Sequence, residues 1–322
     1  MTSPCAPSIL SDVQVSEPRQ VDEKSRRPYV GIVVLHWGPV DVTARCLESL
    51  RGVTFTGRKT VFLIDNARTL DASLGQSIPS MEIEIHRPGR NLGFAGGSAW
   101  GIALALDRGV DFVLLVNNDA TVDPSCLAAL VDAAERCPEA GLLCPRIVNL
   151  ADPLKPWYAG GTFSLWSGMP VQARTRREDA SGLPREVDYA TGCAVLIKPA
   201  VIRAVGSFDP EFFAYCEDLD LSLRARRAGF KVLFVPDSLV RHAVTDQTDR
   251  ASLRIYYSTR NLLEVMRRHG AWYHWVGFGA SFMVRWLGFF ALLACVRRRP
   301  QLIGDLVRGS LDFVRGRLGE RT

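Results

Sequence analysis

The sequence has no CxxC pair and no Cys/His run with zinc-ligand spacing, although it holds eight cysteines. That excludes a zinc module. Cys126, Cys137 and Cys193 instead fall in apolar patterns and read as small core residues, which fits a reduced, cytoplasmic protein. No apolar h-region occurs in residues 1–28, so no signal peptide is expected there. That stretch is rich in Ser, Pro and charge and reads as a flexible leader. GxGxxG is absent, which removes the main support for a dinucleotide fold. A nucleotidyltransferase should show a Gly-rich, Arg/Lys-bearing loop after its first strand. The sequence there is His36-Trp37-Gly38-Pro39. No internal repeat is visible.

What is present suits one large α/β domain plus an appendage: 322 residues, 47% hydrophobic and 23% charged. Apolar runs at 29–35, 60–64 and 111–116 predict buried strands, with a short strand at 82–86. Helical periodicity follows at 40–50, and a helix opens at Asp123-Pro124. Residues 93–106 read as a Gly-rich loop feeding a helix. Strands alternating with helices imply a mostly parallel sheet covered on both faces. Beyond 143 the pattern changes. Antiparallel strands are expected at 158–166 and 187–197, with a polar loop at 172–185 between them. Helices are expected at 217–228 and 252–269, and short strands at 231–235 and 239–242.

Polar residues gather at the carboxyl ends of these strands, where ligands bind in open α/β sheets. Asp65 could accept the imide N–H of a pyrimidine, or simply cap a turn. Asn91, Gly93, Gly96 and Gly97 offer bare backbone N–H groups to phosphate or sugar oxygens, a tight turn being the plain alternative. Asn117-Asn118-Asp119 has the form of a metal-diphosphate site, because a hard divalent ion takes oxygen ligands and keeps phosphates in its shell. An Asx turn is its ordinary reading. His242, at a distant strand end, could complete the shell or be structural. The most informative stretch is 208–242. Asp209, Glu217, Asp218 and Asp220 are threaded through Phe212, Phe213 and Tyr215. Burial among aromatics raises a carboxylate pKa and suits it to proton abstraction. Asp218 is the candidate base, and Asp220 pairs with Arg224 at i,i+4. A solvated acidic helix start is the alternative for all three helical carboxylates.

These segments together resemble the inverting GT-A glycosyltransferases of family 2, in particular their rhamnosyltransferase-like branch. The residues that carry the resemblance are Ile64-Asp65-Asn66-Ala67, Asn91 to Gly97, Asn117-Asn118-Asp119 and Gly206-Ser207-Phe208-Asp209. Glu217-Asp218-Leu219-Asp220-Leu221, His242 and Arg260-Asn261 complete it. The match covers about 29–270, giving a GT-A domain there and a C-terminal extension at 271–322. The resemblance implies Asp218 as catalytic base, with Glu217 and Tyr215 on the acceptor. It implies Asp119 and His242 as ligands of Mg²⁺ or Mn²⁺. His36, Asp65, Asn91, Gly93, Gly96, Gly97, Asn117, Asn118 and Arg260 fall to the nucleotide-sugar donor. Asn117 stands where a DxD motif has its first Asp, and His36 and Gly38 replace frequent Asn residues. The implied donor is dTDP-L-rhamnose, with UDP-hexose or UDP-galactofuranose left open. The implied acceptor is a polyprenyl-linked cell-envelope glycan. A non-catalytic glycan-binding scaffold is the alternative of another class.

Residues 271–296 are strongly apolar and long enough to span a bilayer. A central Arg285 costs about 2.5–3.5 kcal/mol on insertion scales. His274, Gly277, Ser281, Arg285 and Gly288 recur at helical spacing. An in-plane helix on the membrane surface is therefore expected, a packed helix or homo-oligomer interface being the second reading. The net charge is +5, and the excess arginines crowd the C-terminus. A basic tail beside apolar sequence fits anionic lipid better than nucleic acid. The expected location is the cytoplasmic face of the cell membrane, held peripherally.

Overall fold

The computed structural model describes residues 27–71, 74, 78, 80–172, 182–243, 251–288, 292 and 301–321. Most of the expected leader and polar loop, and the arginine run at 297–299, lie outside these residues.

The apolar runs form the parallel half of the sheet. β1 (Tyr29–His36) pairs with β2 (Arg58–Asp65), and β3 (Glu82–His86) adds beyond β2. β4 (Phe112–Asn117) lies on the other side of β1. Strand β1 is buried along its whole length, so it reads as a continuous apolar run instead of an alternation. Register places His36 opposite Asp65, and Leu35 opposite Asn117. The polar ends of three strands thus share one edge.

Helix α1 (Val40–Arg51) follows β1, and α2 (Gly93–Asp107) packs on β1 and β2. The helix starts at Gly93 itself, so the segment expected as a loop is mostly helical. Its glycines permit close approach: a Cβ on Gly97 would lie 2.4 Å from Leu35 Cδ1, and one on Gly101 2.5 Å from Val33 Cγ1.

The second half mixes directions. β5 (Ala120–Val122) and α3 (Cys126–Arg136) lead to β6 (Ala140–Asn149). β7 (Pro156–Tyr158) runs antiparallel to β6, and β8 (Gly161–Ser164) forms a hairpin with β9 (Met169–Gln172). After β10 (Arg185–Glu186), β11 (Ala194–Ile197) inserts antiparallel between β4 and β6. Only the end of the strand expected at 187–197 is therefore β11. Helix α4 (Pro199–Val205) and α5 (Glu217–Arg227) precede β12 (Lys231–His242). The sheet order is β10-β12-β6-β11-β4-β1-β2-β3. Strand β12 is one strand where two short ones are expected; its register against β6 shifts between Val235 and Leu239. Pro236 lies in that shift and has no N–H for a ladder.

Helix α6 (Ala251–His269) packs against α8 (Gln301–Val314), with α7 (His274–Ser281) between them in sequence. The chain after α8 returns to the domain: Arg321 pairs with Asp305 at 2.7 Å, and Gly319 N donates to Glu211 O at 2.7 Å. Residues 301–321 of the expected extension thus pack on the domain. Part of its small-residue face points inward: a Cβ on Gly277 would lie 2.9 Å from Trp166 O, and Phe278 is buried. Trp272, Val276, Met283 and Val284 remain exposed. Among the described residues, no helix is long and apolar enough to cross a membrane.

Candidate active site

The carboxyl end of β4 turns directly into β5, which pairs antiparallel with the last residues of β12 and sets Ala120 opposite His242. That pairing brings Asp119 to His242 across 123 residues, with Oδ1 to Nε2 at 3.0 Å. Trp157 packs on the His242 ring, centroids 4.8 Å apart. His242 Nδ1 and Asn117 Oδ1 are both buried without a protein partner. Such orphaned atoms beside a carboxylate fit a site completed by a ligand. Among the described residues, no cluster of three or more His, Cys, Asp or Glu side chains could hold a metal alone. A divalent ion here would take Asp119 and His242 and rely on water and phosphate oxygens for the rest, the usual habit of Mg²⁺.

The second half of the site is the start of α5. Asp218 Oδ2 accepts Gly192 N at 2.9 Å, and Oδ1 accepts Leu219 N at 2.8 Å. Burial still wins over these hydrogen bonds and pushes its pKa up. Glu217 is buried with Oε2 unpartnered; burial, then the Asp218 charge, holds its pKa well above the usual carboxylate range. Asp220 is fully buried between Arg224 Nε (2.7 Å) and His269 Nε2 (2.8 Å). Burial alone would raise its pKa, but the hydrogen bonds from His269 and Arg224 outweigh it and lower it. Its stabilising effect is therefore present at neutral pH and is lost as pH falls through that lowered value. Asp220→Ala removes the buried carboxylate that pairs with the part-exposed Arg224 and the buried His269, and thermal unfolding is expected to show a loss of about 3 kcal/mol.

One short segment joins the two halves. Gly192 N holds Asp218, and Cys193 O accepts Asn117 N at 2.9 Å. The Cys193 thiol is pushed well up by burial, then by the charges of Asp119, the neighbouring Cys46 and Asp218, as expected for a group between the two carboxylates. Neither Gly192 nor Cys193 carries a sequence signal for this role. Both stand out only once β11 is seen to lie beside β4.

Several donor-side candidates are used by the fold. His36 is buried with Nδ1 on Thr43 Oγ1 (2.6 Å) and Nε2 on Thr69 Oγ1 (2.8 Å), and burial lowers its pKa. Asp65 is fully buried and accepts Thr69 N and Leu70 N at 3.1 Å, the turn it was free to cap. Asn118 Nδ2 donates to Trp37 O and Thr43 Oγ1. The start of α2 is not bare: Asn91 Oδ1 takes Gly93 N, Asn66 Oδ1 takes Leu92 N, and Phe213 O takes Ala95 N. Gly96 and Gly97 are buried in the helix. Arg260 is fully buried, giving its guanidinium to Gly319 O, Glu211 O and Phe212 O. The side chain that the resemblance gives to the nucleotide-sugar donor thus braces main-chain carbonyls here. Tyr215 is exposed and lies two residues before the helix that begins at Glu217.

A half-buried carboxylate at a helix start is thus tied by one segment to a carboxylate–histidine pair at strand ends of an α/β sheet of the GT-A type. The family model described as "Glycosyltransferase like family 2" matches residues 28–274, and the chain belongs to that family. It is 28% identical over 263 residues to an N-acetylglucosaminyl-diphospho-decaprenol L-rhamnosyltransferase of Mycobacterium tuberculosis, covering 75% of this chain and 85% of that one. Galactofuranosyltransferase GlfT1 of Mycolicibacterium smegmatis is 29% identical over 192 residues, covering 56% and 61%. Among solved structures, a mannosyltransferase from Pyrobaculum calidifontis in complex with GDP-Man and Mn²⁺ has the same fold, with TM-score 0.57 at 13% identity over 90% of this chain and 88% of that one.

Proposed function

We propose that the protein is a metal-dependent inverting glycosyltransferase that moves L-rhamnose from dTDP-L-rhamnose onto a lipid-linked cell-envelope glycan. The observation that supports the mechanism is the Gly192–Cys193 bridge, which ties Asp218 to Asn117, two residues before Asp119. Asp218 takes the proton of the acceptor hydroxyl. The freed oxygen bonds to the anomeric carbon as the carbon–oxygen bond to the nucleoside diphosphate breaks on the opposite face, with inversion. Mg²⁺ or Mn²⁺ held by Asp119 and His242 would offset charge on the departing diphosphate. Glu217, whose pKa burial raises, and Tyr215 orient the acceptor. The likeness to the rhamnosyltransferase supports the sugar and the polyprenyl acceptor; the likeness to GlfT1 supports UDP-galactofuranose as the second reading. The exposed Trp272, Val276, Met283 and Val284 support a peripheral seat on the cytoplasmic membrane face, where such an acceptor would be met.

Calorimetric titration with dTDP and UDP, each with and without Mn²⁺, tests the donor. Metal-dependent preference for dTDP is expected. Preference for UDP moves the donor to a UDP-sugar, and binding of neither overturns the transferase reading.

A further inference from the structure

The backbone leading into the Asp218 helix is strained. Phe213 sits at φ 61°, ψ −60°, and Ala214 N donates to Phe212 O at 2.7 Å, which is a γ-turn of the rarer, costlier hand. Tyr215 (φ 70°) and Cys216 (φ 68°) are both left-handed as well. Three non-glycine residues in four with positive φ cost roughly 1–3 kcal/mol each and persist only where surroundings enforce them. The enforcing group is on α6. Asn261 Nδ2 lies 2.8 Å from each of three carbonyl oxygens, those of Phe212, Ala214 and Tyr215. Positive φ turns these carbonyls to one side, and a single buried amide collects them. Arg260 Nε donates to Asn261 Oδ1 at 2.9 Å and so fixes which way the amide faces. The same guanidinium holds Phe212 O and reaches Gly319 O in the C-terminal return. On the far side, Ala95 N holds Phe213 O, and Gly93 leaves room for that carbonyl, since a Cβ there would stand 2.4 Å from it.

We propose that Asn261 is a positioning residue for the transfer step: its amide holds the strained 212–216 backbone in the one shape that aims the Asp218 carboxylate into the cleft, with Arg260 bracing it. The inference rests on Asp218 being the base. Asn261 touches neither reacting group, so its effect passes through the loop. Misplacing a base by about 1 Å can cost on the order of 10²-fold in rate.

The test compares Asn261→Ala, Arg260→Lys and Asp218→Asn in the full chain. Rates with donor and acceptor, calorimetric nucleotide binding with Mn²⁺, and thermal melting are all measured. Asn261→Ala is expected to lower kcat by about 10²-fold with nucleotide affinity unchanged within about twofold. The acid limb of its residual activity should move to lower pH, because a relaxed loop lets water reach Asp218 and removes the burial that raises its pKa. Arg260→Lys keeps a cation between Tyr256 and Tyr257 but loses the planar fork. It should show the same pattern at about a tenth of the effect, and it carries the test if the alanine variant does not fold. Turnover within about threefold of the parent in both variants overturns the proposal. So does a fall in kcat that merely tracks nucleotide binding and folded fraction. An Asp218→Asn variant with parental turnover overturns the base assignment instead, whatever Asn261→Ala does.

Discussion

Asp218→Asn is expected to reduce transfer by about 10³-fold or more while nucleotide affinity stays within about twofold of the parent. The substitution keeps size, but its amide has one oxygen and can accept only one of the two N–H groups, Gly192 N and Leu219 N, that Asp218 holds. What it removes is the lone pair that takes the acceptor proton. The sign of the pH dependence follows from the same group. Burial raises the Asp218 pKa, and only the ionised form is a base. Activity should therefore rise with pH through a limb lying above the ordinary carboxylate value of about 4, and that limb should vanish in the asparagine variant. Initial rates across pH measure both. Parental turnover in Asp218→Asn, or an acid limb at an ordinary carboxylate value, sinks the assignment.

Asp119→Ala should act on the other half. With Mn²⁺ present, nucleotide affinity is expected to fall on the order of 10²-fold, and without metal it should barely change. His242→Ala should show the same pattern, because the two side chains meet at 3.0 Å and would share one ion. Calorimetry with and without Mn²⁺ separates this from general damage: a structural defect weakens both conditions alike. Metal dependence that survives Asp119→Ala shows that the ion is held elsewhere.

The parts legible in the sequence are those set by neighbours along the chain. The strands β1, β2 and β4 announce themselves because both faces are buried. The Asp220–Arg224 pair follows from one helical turn. Asp119 and His242 read as members of one candidate metal shell, but their contact is made by β5 pairing with β12, which no local pattern encodes. The start of α2 reads as a loop because its glycines suggest open backbone. In the fold they serve close packing on Leu35 and Val33, and its amides are spent on Asn66, Asn91 and Phe213. Arg260 falls to the nucleotide-sugar donor through the resemblance alone, and no local pattern shows that it is buried. Its burial is forced by carbonyls 48 and 59 residues away. Asn66 and Asn261 sit in recognisable motifs, yet an asparagine amide carries no sign of which carbonyls it will gather.

The pairing of Ala120 with His242 has a bearing on how the protein is made. Synthesis delivers Asp119 early and the Asp218 helix later, but His242 emerges only after the sheet has its last long strand. Contacts of such sequence separation form late, since loop closure is costly before they are rewarded. If donor and ion are held through both side chains, as proposed, a nascent or truncated chain would have a base and no donor pocket. Competence to draw on the cell's activated sugar would then arrive in one step, at completion of the sheet, and nucleotide would favour the finished domain over every shorter one.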